Sequence, residues 1–196
     1  MQEEGSQAVA EAVPLAPGDR VLDACAGRGN KTLALVDRLR TLDPAATGVV
    51  DAADLHANKL GRLRDEAARL GVSVGQTLAI DATVGLGTLP PGHHDRVLVD
   101  APCSGTGTLR RRPEIALRRV ETDLLSLQEQ QRAIVRTAAA AVRPGGTLVY
   151  AVCSVLAEEC EQVVEGIAGF TLREVRRLLP QRDGCDGYAI AHLERG

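Results

Sequence analysis

The stretch Asp100 to Gly107, DAPCSGTG, sets an acid, a rigid kink and a thiol within four residues, and a second thiol, Cys153, closes the later apolar run TLVYAVCS. A thiolate can add covalently to an electrophilic centre, and a carboxyl beside it can hold or orient a proton for that addition. Pro102 fixes one backbone angle and biases Ala101 toward extended conformations. Gly105 and Gly107 free the turns after Cys103, which lets backbone come close to a ligand there. One cysteine in a Gly/Ser loop is commonly packing, so the weight falls on the set: two thiols and an acid at adjacent strand ends.

Those positions require a particular scaffold. DRVLVD, ending on Asp100, is a short apolar run of the kind that forms a buried parallel strand. Upstream, DRVLDACAGRGNKT reads as a strand over Val21 to Ala24, a glycine-bearing turn, and a helix from near Lys31 with Leu35, Val36, Leu39 and Leu42 on one face. TGVVDAADL is a second strand ended by Asp54, followed by a helix with Leu60, Leu63, Ala67 and Leu70 facing inward. GQTLAID gives a third strand ending on Asp81, and a Gly/Pro loop with His93 and His94 as loop residues comes next. A long helix from about Glu121 to Val142 is stopped by RPGG, AEECEQVVEGI makes another helix, and two strands fall around Phe170 to Val175 and Gly187 to Leu193. A short helix around Ala8 to Val13 packs on the core edge before PLAPGD breaks it. Such alternation predicts an α/β fold, one doubly wound, mostly parallel seven-stranded sheet with ligands at the carboxyl ends of the strands.

The first three strand ends form the cofactor side. A phosphate-binding loop for ATP needs glycine directly before Lys31, where Asn30 stands. A dinucleotide fingerprint would use Gly27 and Gly29 but finds Thr32 at its third glycine. What remains suits an adenosyl ligand without phosphates. Asp54 is placed to accept hydrogen bonds from ribose hydroxyls, with Asp51 less suited because it falls within its strand, and Asp81 can accept from an adenine amino group.

Length and composition narrow the rest. A chain of 196 residues fits one domain, and a net charge of -3 excludes holding nucleic acid by global charge. LRRRPEIALRR, Leu109 to Arg119, is a local basic patch that reads either as a solvated helix start or as a phosphate contact. Tyr150, Phe170 and Tyr188 are the only aromatics, too few for base-stacking platforms. The five cysteines form no CxxC pair or zinc spacing, so a disulfide framework or metal centre is not expected, and a reducing, cytoplasmic setting is. Neither a leader nor a membrane span is legible, and a monomer is expected.

The sequence resembles the Sun/Fmu-like RNA cytosine-5 methyltransferases nearly end to end. MQEEGSQ resembles the family's opening QDEGSQ element, DACAGRGNKT its DxCAAPGGKT loop, and DAPCSGTG its fourth motif almost letter for letter. RRRPEI, LQEQQRAIV and RPGGTLVYAVCS with the following EECE resemble the run that ends in its TCS motif, and DGYAIAHL resembles its closing DGFF element. The resemblance implies a class I, Rossmann-like fold and S-adenosylmethionine as cofactor. It implies that Cys25, Ala26, Gly27, Arg28, Gly29, Asn30 and Lys31 line the methionine and adenosine, that Asp54 and Lys59 address the ribose, Asp81 the adenine, and Asp100 both cofactor and target base. It makes Cys153 the nucleophile and Cys103 the residue that helps release product. Lys31, on the same rim, is placed to lower a thiol's pKa, and Cys25, Cys160 and Cys185 are read as packing.

The implied substrate is RNA, ribosomal rather than transfer RNA. C5 of cytosine is too weak a nucleophile to attack a sulfonium methyl until a thiolate has added at C6. Asp100 would hold a proton toward N3 or orient a donor there. DNA cytosine methyltransferases use the cysteine of the PC turn instead, so the choice of Cys153 rests on the resemblance. The chain departs from the family pattern at Arg28, Asn30, Val152, Cys160, Tyr188 and Ala189, and begins where relatives usually carry an RNA-binding extension. An excised catalytic domain, a chain that borrows a separate RNA-binding protein or domain, a relative without catalysis and a small-molecule methyltransferase on the same fold are the readings open at this point.

Overall fold

Valine, leucine and alanine alternate faces along the central runs, and both faces find cover. The computed structural model describes residues 2–45 and 47–196. Its strands are β1 (Arg20–Asp23), β2 (Val49–Asp54), β3 (Thr77–Ala79), β4 (His94–Asp100), β5 (Val142–Val152), β6 (Phe170–Leu178) and β7 (Tyr188–Arg195), in one sheet of order β3-β2-β1-β4-β5-β7-β6. The first five pair in parallel, and β7 runs antiparallel between β5 and β6. The chain winds outward from β1 to β3, then returns to place β4 on the other side of β1. That reversal opens a crevice at the carboxyl ends of β1 and β4.

On one face Val97, Val99, Leu148, Tyr150 and Val152 pack with Ile134, Val135 and Ala138. On the other, Val21, Leu98, Val149 and Ile190 meet Val9, Leu35, Val36 and Leu39. The covering helices are α1 (Glu4–Glu11), capped by the Glu3 carboxylate accepting from Ser6 N, then α2 (Asn30–Leu42) and α3 (Ala57–Leu70), which Gly71 ends at φ 66°. A single turn, α4 (Ile115–Arg118), lies in the basic stretch, and α5 (Glu121–Ala141) covers the first face. Each fully buried Leu or Val contributes about 1.5–3 kcal/mol relative to exposure.

The structure corrects four expectations. β3 is three residues long, so Asp81 lies in the turn beyond it. AEECEQVVEGI is a 3-10 turn, Ala157–Glu159, and one helical turn, α6 (Glu161–Val164), because Cys160 departs from helical geometry at φ -124°, ψ -83°. α5 ends where expected, at Ala141, but RPGG is taken into β5, which begins at Val142 rather than Thr147, across an irregularity in the β4–β5 register. His94 is no loop residue: it opens β4 fully buried, with Nε2 3.1 Å from Asp51 Oδ2. Asp51 also accepts from Gln76 N and lies 3.8 Å from Arg20, so its role is in this buried cluster rather than at Asp54's cavity.

Candidate active site

Asp100 is the last residue of β4 and Cys153 the first beyond β5. The register sets Asp100 beside Ala151, so the two chains leave the sheet side by side. Cys103, three residues past β4, consequently meets Cys153 with 3.3 Å between the sulfurs. From the first turn of α2, Lys31 Nζ reaches 2.5 Å from Asp100 Oδ2, and it lies 6.0 Å from the centre of the Tyr188 ring.

The thiols differ in acidity. The hydrogen bond with Cys103 brings the Cys153 thiol down against burial and the Asp100 charge, with Lys31 helping. The same bond, then burial and the charges of Cys153 and Glu159, hold Cys103 up. Either sulfur can donate across the contact, and the shifts make Cys153 the more acidic thiol of the two.

The turn is held by close backbone approach. Gly105 takes φ 79°. A Cβ on Gly107 would stand 2.0 Å from the Gly187 carbonyl oxygen, so protein backbone, not ligand, needs that glycine. Gly107 N donates to the Cys153 carbonyl at 3.0 Å, and Gly187 N to the Gly107 carbonyl at 2.8 Å.

Two cavities open at the strand ends; Asp100 lines both, and neither Cys103 nor Cys153 lines either. The first, about 280 Å³, is lined by Cys25, Gly27, Asp54, Lys59, Ile80, Asp81, Asp100, Pro102 and Ile134, among others. Asp54 accepts from Gly27 N at 2.9 Å and His56 N at 2.8 Å, with Lys59 Nζ 3.6 Å away. Asp81 takes the Thr83 N–H and hydroxyl on Oδ1, which lowers its pKa. The second, about 170 Å³, is lined by Asp23, Cys25, Ala26, Gly27, Arg28, Asn30, Lys31 and Asp100. Burial pushes Cys25 far up, so it lines both spaces as a neutral thiol. Gly29 lines neither: at φ 88° it caps α2, and its Cβ would meet Leu63 Cδ1 at 2.2 Å. Its requirement is packing.

Three buried residues to which the sequence pattern assigns no role reach this site: Asp23, Gln131 and Glu159. Asp23 Oδ2 accepts from the Thr32 hydroxyl at 2.7 Å, while its buried Oδ1 has no partner. The signal for Asp23 was available, since it ends β1 as Asp54 and Asp100 end their strands. An orphaned carboxylate oxygen in a cavity that shares Cys25, Gly27 and Asp100 with a second, partly apolar one fits a ligand with an ammonium at one end and a nucleoside at the other. S-adenosylmethionine has that form, and Asp23, Asp54 and Asp81 are the residues that would hold it.

A doubly wound sheet with its last strand inserted antiparallel, and cavities where β1 and β4 diverge, defines a class I methyltransferase fold. The chain belongs to the 16S rRNA methyltransferase RsmB/F family, whose profile matches residues 10–173. It is 36% identical to ribosomal RNA small subunit methyltransferase B of Pseudomonas syringae, over 98% of this chain and 46% of that protein. It is 35% identical to the probable ribosomal RNA small subunit methyltransferase B of Bacillus subtilis, over 100% of this chain and 47% of that protein. NSun6 from Pyrococcus horikoshii, solved with SFG, superposes with a TM-score of 0.85 at 27% identity, over 99% of this chain and 52% of that one. The chain thus spans about half the length of the curated relatives it matches. Among the described residues no helix is long and apolar enough to cross a membrane.

Proposed function

We propose that this chain transfers a methyl group from S-adenosylmethionine to C5 of a cytosine in RNA, through a covalent adduct on Cys153. Its family and the names of its relatives favour ribosomal RNA as substrate. The observation that carries the reading is the 3.3 Å contact between a lowered and a raised thiol beside the Lys31–Asp100 pair. In this reading residues 1–196 act as one methyltransferase domain, and grip on RNA away from the target base comes from a separate protein or domain.

Cys153 adds as thiolate to C6 of the cytosine, which pushes electron density to C5. Lys31 on Asp100 supports an Asp100 that orients a donor toward N3, where charge develops. S-adenosylmethionine, when bound, supplies an electrophilic methyl group. Once Cys153 is a thioether its charge is gone, and with it the main cause that holds Cys103 up. Cys103 can then release its proton to solvent and accept the proton from C5. The C6–S bond breaks, and the resting pair, Cys103 thiol and Cys153 thiolate, is restored with one net proton released.

Tritiated methyl transfer into ribosomal RNA, with and without added RNA-binding protein, tests the proposal. Label recovered as 5-methylcytidine in the wild type, and lowered by about three orders of magnitude in Cys153→Ala, is the expected result. Transfer that persists in Cys153→Ala, or that goes only to small molecules, sinks it.

A further inference from the structure

The EECE run has no part in the chemistry above, yet Glu159 is fully buried and aimed at the cysteine turn. Its Oε1 accepts from Ser104 N at 2.7 Å and from Gln131 Nε2 at 3.0 Å, and its Oε2 from the Ser104 hydroxyl at 2.5 Å. Gln131 Nε2 also donates to the Pro102 carbonyl at 2.9 Å. The peptide groups on both sides of Cys103 are thereby fixed by one Gln/Glu pair. Tyr150 in turn donates to the Glu159 carbonyl at 2.7 Å and anchors the backbone that carries the carboxylate.

Burying a carboxylate without an ion pair is costly unless hydrogen-bond donors converge on it, and here three do. A structural loop has cheaper anchors, such as the Gly107–Gly187 backbone hydrogen bond already in place. What the carboxylate adds is a fixed negative charge one residue from Cys103. Ser104 Oγ also approaches Ser154 Oγ at 3.5 Å, and Thr106 Oγ1 reaches Ser154 Oγ at 2.9 Å, so the residue after each cysteine joins the same network.

We propose that Glu159 is a positioning residue that, with Gln131, locks Cys103 against Cys153 and sets which thiol of the pair reacts. The charge of Glu159 is among the causes that hold Cys103 up. The other titratable or charged groups that face the pair or its turn are Tyr150 from β5, Asp100 from β4, Lys31 from α2, Tyr188 from β7 and Arg119, which follows α4 and donates to the Ser104 carbonyl. This role rests on the cytosine-5 reading, but the thiols report on it whether or not RNA is methylated.

The test is alkylation by iodoacetamide across pH, read peptide by peptide by mass spectrometry, in wild type and Glu159→Gln. Wild type should label Cys153 ahead of Cys103 near neutral pH. In Glu159→Gln that ratio should fall by about tenfold, one unit of relative acidity, as Cys103 becomes the easier thiol to ionise. Thermal melting and S-adenosylmethionine affinity should stay near wild type. An unchanged ratio and pH profile in the folded variant overturn the proposal. Should Glu159→Gln fail to fold, Ser104→Ala decides, since it removes the hydroxyl donor to Oε2, with the longer contacts to Ser154 and Thr106, and leaves the Ser104 N–H bond to Oε1 in place. A labelling ratio that moves in either direction supports the assignment, because the carboxylate that grips the turn has lost a donor, and an unchanged ratio overturns it. Methyl transfer that fails in wild type while the labelling ratio responds would count against the enzymatic reading and leave the Glu159 assignment standing.

Discussion

Cys103 and Cys153 come from different crossovers, fifty residues apart, and their sulfurs meet at 3.3 Å with opposite displacements in acidity. Sequence spacing leaves the two thiols interchangeable, and the proposed role of Cys153 as nucleophile agrees with that asymmetry. Cys103→Ala removes the hydrogen-bond partner that is the largest cause of the Cys153 shift. The pH midpoint for Cys153 alkylation should therefore lie below that of an ordinary cysteine in wild type and rise in Cys103→Ala. With a 5-fluorocytosine RNA, Cys103→Ala should retain a denaturant-stable adduct and Cys153→Ala should form none. A midpoint that stays put, or an adduct on the wrong cysteine, reverses the roles.

Asp54, Asp100, Cys103 and Cys153 were legible because each ends or closely follows an apolar strand, and strand ends of a doubly wound sheet converge on one rim. The sheet itself followed from the same runs. Glu159 was not legible, because its position depends on a 3-10 turn that breaks an apparently helical segment, and nothing local says that Ser104 lies above it. His94 was misplaced for a related reason. A histidine after PPG reads as loop until β2 delivers Asp51, forty-three residues earlier, to partner it. Short-range pattern reports faces and ends, whereas buried polar pairs are made by distant segments and leave no period behind.

Basic residues beside the cysteine turn sort by what they already hold. Arg111 pairs with the buried Asp186, Arg110 lies 3.8 Å from the same carboxylate, and Arg119 donates to the Ser104 carbonyl at 3.1 Å. Among the described residues Arg112 and Arg118 carry no ion pair, and both are exposed. Arg112→Ala with Arg118→Ala should raise the KM for RNA and flatten its salt dependence, by about 0.7 log units per log unit of salt for each single-strand phosphate that is no longer neutralised. S-adenosylmethionine affinity should not change. Equal salt slopes in wild type and the double variant would assign these arginines to solvent alone.

Asp23 links cofactor binding to stability. Burial raises its pKa to about 6 from 3.8, against the lowering pull of Thr32 and Lys31. A carboxyl raised in the folded state binds its proton more tightly there than in the unfolded chain. Its favourable contribution is therefore present below pH 3.8 and is lost as pH rises to about 6. The loss is on the order of 3 kcal/mol. Asp23→Asn keeps an acceptor for the Thr32 hydroxyl and carries no charge. In urea denaturation its stability relative to wild type should climb between pH 4 and pH 6, then level off. Wild-type affinity for S-adenosylmethionine should rise over that interval, because an ionised Asp23 can take the ligand's ammonium on its orphaned Oδ1. Asp23→Asn should bind about tenfold or more weakly and lose that pH dependence. A wild-type affinity flat across this range, together with a stability difference that follows pH as described, would mean that Asp23 is a strained buried acid and that the ammonium is held elsewhere on the rim.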